Sequence, residues 1–143
     1  MSVRDDLRAS LYDRLLTQLP VEYGAAVDIG FENQKFIQPK DKPFVLAWVK
    51  ETGAKRASIG TASKFNRHMG FFILECYVPE DGGTATLWKI CDAISRAFDS
   101  THFTLTDGSY VTMCTPKVIP NGNKDGHYSE IVMCEYYLDA APQ

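Results

Sequence analysis

Leucine recurs at every fourth position near the start of the chain, at Leu7, Leu11, Leu15 and Leu19, with Val3 and Leu16 beside the same stripe. That spacing gathers the side chains on one face of an α-helix, and such a face must be laid on another layer. Ser2 followed by Asp5 and Asp6 predicts an N-cap with acids in the first turn, where the helix dipole favours them. Pro20 has no N–H and disfavours the helical conformation at Leu19, so the predicted helix covers residues 3–19.

The remaining apolar runs read as strands and one more helix. Val27, Ile29 and Phe31 alternate with Asp28 and Gly30, a short strand signal. A loop with two prolines, Gln38 to Pro43, leads into Phe44-Val45-Leu46-Ala47-Trp48-Val49, too short for a helix and rich in β-formers. It reads as a central strand buried on both faces. The strongest strand is Gly70 to Val78, stopped by Pro79. After the turn Glu80-Asp81-Gly82-Gly83, Thr84 is placed to cap a second helix. Leu87, Ile90, Cys91, Ile94, Ala97 and Phe98 then fall on one helical face. Tyr110–Cys114 and Tyr128–Leu138 close the chain as strands, with a hairpin loop predicted over Pro120–Gly126. Strands joined by short connections pair mostly antiparallel. The expectation is an α+β fold, with two helices packed on a mostly antiparallel mixed sheet of about five to six strands. Residues 1–143 are expected to form a single domain.

Composition narrows the function classes. With 45% hydrophobic and 23% charged residues the chain is neither disordered nor fibrous. A chain of this length buries roughly 70% of its unfolded surface, and needs no metal or disulfide to hold together. There is no apolar run of the ~20 residues that span a bilayer, and the start Met1-Ser2-Val3-Arg4-Asp5-Asp6 lacks a signal-peptide core, so a cytoplasmic product is expected. A net charge of −3 gives no global attraction to nucleic acid. Cys76, Cys91, Cys114 and Cys134 lack zinc-site spacing and sit in apolar runs, so they are expected to be reduced and buried.

No catalytic constellation is legible. His68, His102 and His127 have no His or Cys partner at ligand spacing, and no glycine-flanked Ser elbow is present. Asp5-Asp6 and Glu80-Asp81 both fall at predicted helix starts, where the dipole explains them without chemistry. Gly82-Gly83-Thr84 lacks the pattern of a phosphate-binding loop. The most distinctive feature is the polar segment 50–68, where Lys50, Lys55, Arg56, Lys64, Arg67 and His68 are opposed only by Glu51. It contains a candidate short edge strand, Ala57-Ser58-Ile59-Gly60. It reads either as a solvated hairpin or loop, or as a contact surface for an acidic partner, protein or nucleic-acid backbone. Only Phe65 lies among its charges, too few aromatics for stacking on single strands.

Taken in order, these pieces resemble the tail terminator (tail completion) proteins of long-tailed bacteriophages and prophages. The resemblance runs from about residue 3 to residue 138. It rests on the leucine-striped helix, Gly30-Phe31-Glu32-Asn33, the proline-rich loop and the strand carrying Trp48. It continues through Ala57-Ser58-Ile59-Gly60, Arg67-His68-Met69-Gly70, Tyr77-Val78-Pro79, and Gly82-Gly83 before a helix ending at Ala97-Phe98. The resemblance implies a structural virion protein, neither an enzyme nor a cofactor binder. It implies a homo-hexameric ring on the finished tail tube that stops polymerisation and joins the head connector. Its implied partners are itself, the tail tube protein and the head-tail connector, with DNA passing through without sequence-specific binding and no membrane involved. The implied location is the head-tail junction of the virion, after assembly in the host cytoplasm. Lys55, Arg56, Lys64, Arg67 and His68 are candidates to line the lumen or touch a partner. Competing functions are a neighbouring connector or completion protein, a small nucleic-acid-binding module using segment 50–68, and a small enzyme whose site forms from distant residues.

Overall fold

The computed structural model describes residues 3–24, 27–56, 66–80 and 83–139. Their order is α1 (Val3–Tyr23), β1 (Asp28–Phe31), β2 (Phe44–Arg56), β3 (Asn66–Pro79), α2 (Ala85–Phe98), β4 (His102–Thr104), β5 (Tyr110–Met113), β6 (Lys117–Lys124) and β7 (His127–Asp139). The strands form one mixed sheet in the order β1-β2-β3-β7-β5-β4, with β6 also paired to β7. The α+β class, with two helices and a mostly antiparallel sheet, agrees with the sequence reading, and the described strands number seven.

The core lies between the helices and one face of the sheet. Leu7, Leu11, Leu15 and Leu19 from α1 join Leu87, Ile90, Cys91, Ile94 and Phe98 from α2 over Val45, Ala47, Phe72, Leu74, Cys76, Val132, Cys134 and Tyr136. The two-residue period of each strand sends alternate side chains to this face. Arg14 Nε donates to the Ala97 carbonyl at 2.7 Å, satisfying one free acceptor at the end of α2 and tying the two helices together.

Several expectations need correction. Helix α1 continues through Pro20 to Tyr23. The hydrogen bond that proline forfeits belongs to the carbonyl of Leu16, a residue 51% exposed, where water can serve as donor. Leu16 therefore lies outside the apolar stripe. Thr84 occupies the N-cap position of α2 but makes no side-chain cap, its backbone being helical already. Strand β1 pairs parallel to β2, with Ile29 opposite Val45, because the connection between them crosses back rather than turning tightly. In β2 only one face is core: Val45 and Ala47 are buried, while Leu46 and Trp48 are half-buried.

The segment read as the loop 120–126 is mostly strand. Strand β6 pairs with β7 from Lys117↔Met133 to Lys124↔His127, with an irregularity between Pro120 and Gly122. Only Asp125 and Gly126 make the turn, at φ 51° and 80°, as a two-residue turn with both centres left-handed requires. Proline is tolerated because β6 is an edge strand. Cys76, Cys91 and Cys134 are free and buried, whereas Cys114 is free but only half-buried. Ser2, Asp81, Gly82 and the candidate strand at 57–60 lie outside the described residues.

Candidate interaction surface

The sheet face away from the helices carries the residues that alternate with the core. At one end it is covered. Phe44 stacks on Tyr77 with ring centres 4.8 Å apart and meets the His127 ring edge-on at 5.2 Å. His127 is buried, and its two ring nitrogens lie 3.2 Å from the carbonyl oxygens of Asp125 and Pro39, which draws the proline-rich loop over this end.

Beyond that cover, Leu46, Trp48, Glu75 and Phe31 border an open cleft of about 320 Å³, floored by Gly30 and Ala47 and flanked by Glu32. The cleft exists because the register sets Leu46 opposite Glu75 and Trp48 opposite Ile73. The Glu75 carboxylate accepts from the Trp48 indole N–H at 3.1 Å and from the Tyr77 hydroxyl at 3.0 Å. It has no cationic partner among the described residues. Burial, and then the bond to Glu75, push the Tyr77 hydroxyl up to about 12.

Glu32 plays a different part. Its Oε1 pairs with Arg8 Nε at 2.8 Å and accepts from the Tyr12 hydroxyl at 3.1 Å and the Val49 amide at 3.2 Å. One carboxylate thereby joins α1, the end of β1 and β2. Burial first, and the Glu32 charge second, hold the Tyr12 hydroxyl well above the ordinary phenol range.

The basic residues singled out in sequence fall at the far end of the β2–β3 hairpin. Lys55 and Arg56 close β2, in register with Arg67 and Asn66. The side chains of Lys55 and Arg56, and Lys64 entirely, lie outside what the structure describes. Arg67 is engaged within the chain. Its guanidinium pairs with both oxygens of Asp139, at 2.8 and 3.2 Å, and lies 5.3 Å from the centre of the Tyr137 ring. The hydrogen bonds to Asp139 raise its already high pKa further. His68 is half-buried in β3, opposite Ala54 and Leu138. Lys55, Arg56, Arg67 and His68 thus share one end of the hairpin. Sequence reasoning missed the Trp48–Glu75 cleft, because two residues 27 positions apart meet only through the β2–β3 register.

The other candidates take structural roles. Asp6 accepts from the Thr106 amide, fastening the turn between β4 and β5 to the start of α1. The Glu80 amide donates to the Gly126 carbonyl at 3.0 Å, linking the end of β3 to the tight turn. Among the described residues no three or more His, Cys, Asp or Glu side chains gather as a metal site. No described helix is long and apolar enough to cross a membrane.

Comparison with known proteins agrees with this architecture. No curated protein matches the chain in sequence. One solved structure is similar over the whole of both chains, with a TM-score of 0.75 at 16% identity. Another, from the virion of a native gene transfer agent particle, is similar over 97% of this chain and 98% of its own, with a TM-score of 0.61 and 16% identity. At such identities these likenesses speak for the fold. A family profile described as phage tail terminator protein matches residues 6–136. The chain therefore belongs to the phage tail terminator protein family, structural proteins of the phage tail.

Proposed function

We propose that this chain acts as one domain over residues 1–143 and assembles as a six-membered ring on the completed tail tube. The ring stops polymerisation and presents a joining surface to the head-tail connector, at the head-tail junction of the virion. It assembles in the host cytoplasm, and DNA passes through it without sequence-specific contact. The observation that carries the reading is the family match over residues 6–136. The two unlike surfaces support it. A closed ring built head to tail requires each subunit to carry two different complementary faces. The cleft beside Trp48 and the basic end of the β2–β3 hairpin are unlike in chemistry and lie apart along the sheet. In this reading Lys55, Arg56 and Lys64 meet partner or lumen, with Arg67 and His68 beside them at the same end of the hairpin.

The test is electron microscopy of particles made by a phage or prophage lacking this chain. Overlong tails without heads, restored to normal length by supplying the protein, are the expected result. Tails of normal length that fail only to join heads would move the assignment to a neighbouring connector. Intact particles would overturn both.

A further inference from the structure

We infer that the cleft between Trp48 and Glu75 is a socket for a basic side chain from the Lys55–Arg56 end of the β2–β3 hairpin of a second copy of this chain. The inference rests on the ring reading and names the contact that would close it.

The socket has the chemistry for a long cationic side chain. Glu75 is half-buried and held by two neutral donors, Trp48 Nε1 and the Tyr77 hydroxyl, which fix its direction while leaving its charge uncompensated among the described residues. A carboxylate partly removed from water gains from a cation hydrogen-bonded to its remaining lone pairs. Trp48 places an aromatic ring at the same cleft, and Leu46 offers apolar surface to the methylene stem. Glu32, the other carboxylate at the cleft, is already paired with Arg8. A single vacant anionic position beside an indole suits one Lys or Arg better than an anion or a neutral ligand.

Charge complementarity points to the hairpin, and geometry to another copy. Segment 50–68 carries five of the chain's 15 Lys and Arg residues. The β2–β3 ladder runs from Leu46↔Glu75 to Arg56↔Asn66, with one irregularity between Glu51 and Gly53. Ten residues of strand separate Leu46 from Arg56, about 33 Å at the usual rise. A chain therefore cannot fill its own socket while the ladder stands. A contact in which the arm of one copy enters the socket of the next is heterologous, and it closes on itself when the rotation per subunit divides a full turn.

The test is complementation between two full-length variants. Glu75→Lys disables the socket and leaves the arm. Lys55→Ala/Arg56→Ala disables the arm and leaves the socket. Both are checked for native circular dichroism and melting. Each alone should sediment as a monomer, and the mixture should form a discrete one-to-one pair that weakens with added salt. Glu75→Gln should weaken wild-type association by about tenfold or more. In a Trp88→Phe background, Trp48 emission should change on mixing. Two folded variants that never pair overturn the inference. Glu75→Lys rings that still form on tail tubes overturn it while leaving the ring reading intact, and a wild-type chain that never rings a tube overturns that reading instead. If no pair forms but Glu75→Lys loses binding to tubes, the occupant is a basic group of the tube protein and the second-copy assignment falls.

Discussion

Replacing Gly70 by alanine tests the packing of the central sheet at one atom. Gly70 sits in β3 opposite Tyr136 of β7, and the Tyr136 ring crosses the space a side chain would occupy. A Cβ there would clash with the Lys50 carbonyl oxygen and lie 2.5 Å from Tyr136 Oη and 2.7 Å from Tyr136 Cζ. The first contact is backbone in the neighbouring strand and cannot swing aside. The second belongs to a fully buried ring. Overpacking of this kind costs about 1–3 kcal/mol, and a backbone contact places the cost near the upper end. The propensity gain of alanine over glycine in a strand returns about 0.5–1 kcal/mol, so a net loss of about 2 kcal/mol is expected. For a domain of this size that lowers Tm by roughly 6–8 °C. The Tyr136 hydroxyl is itself buried without a hydrogen-bond partner among the described residues. Tyr136→Phe should therefore be neutral or stabilising by up to about 1 kcal/mol, since a buried unsatisfied hydroxyl costs stability. In the double variant the Oη contact is gone while the Lys50 contact remains. Urea unfolding should then show a favourable coupling of about 1 kcal/mol, with m unchanged. A Gly70→Ala chain within about 0.5 kcal/mol of wild type, or strictly additive variants, would refute the reasoning.

Three further outcomes follow from the same contacts. Stability should fall as pH rises from 10 to 12: burial raises the Tyr136 and Tyr77 hydroxyls from 10.0 to about 12, so the folded state resists ionisation that the unfolded chain undergoes first. Chemical denaturation across that range checks this, and the Tyr136→Phe chain should show a shallower decline. Glu32→Gln removes the ion pair with Arg8 and weakens the bonds from Tyr12 and Val49. A loss of about 1–2 kcal/mol in the same assay is expected, with none indicating that α1 is held by its leucines alone. Under native conditions a thiol reagent should modify Cys114 alone of the four cysteines. The other three are buried, and burial pushes the Cys134 thiol up to about 12. Rapid labelling of all four would contradict the core described above.

What was legible in the sequence follows the strength of the local signal. Helix α2 and strand β3 were readable because their apolar periodicity has no competing breaker. Helix α1 was readable up to Pro20, where the local rule misled, since a lost hydrogen bond on a solvent-facing turn is tolerated. Strand β6 was hidden by its own residues. Pro120, Asn121 and Gly122 are turn formers, yet an edge strand against β7 accommodates them through one irregularity, and only Asp125-Gly126 turns. Cys114 read as buried because its neighbours are apolar, whereas it follows the end of β5 where the ladder changes partner. The basic end of the hairpin was visible as a charge run, but its opposition of Lys55 to Arg67 is a matter of register. For the same reason Trp48 gave no sign of Glu75, and Arg67 none of Asp139, 72 residues away. Pairings made by long-range register have no local sequence signature, and they are what builds the surface.

The most direct measurement is electron microscopy of tubes polymerised from purified tail tube protein, with and without this chain. The account predicts a six-fold ring at one end of each tube and arrested growth once the chain is added. Tubes that continue to elongate, with the chain absent from their ends or scattered along their sides, would contradict it.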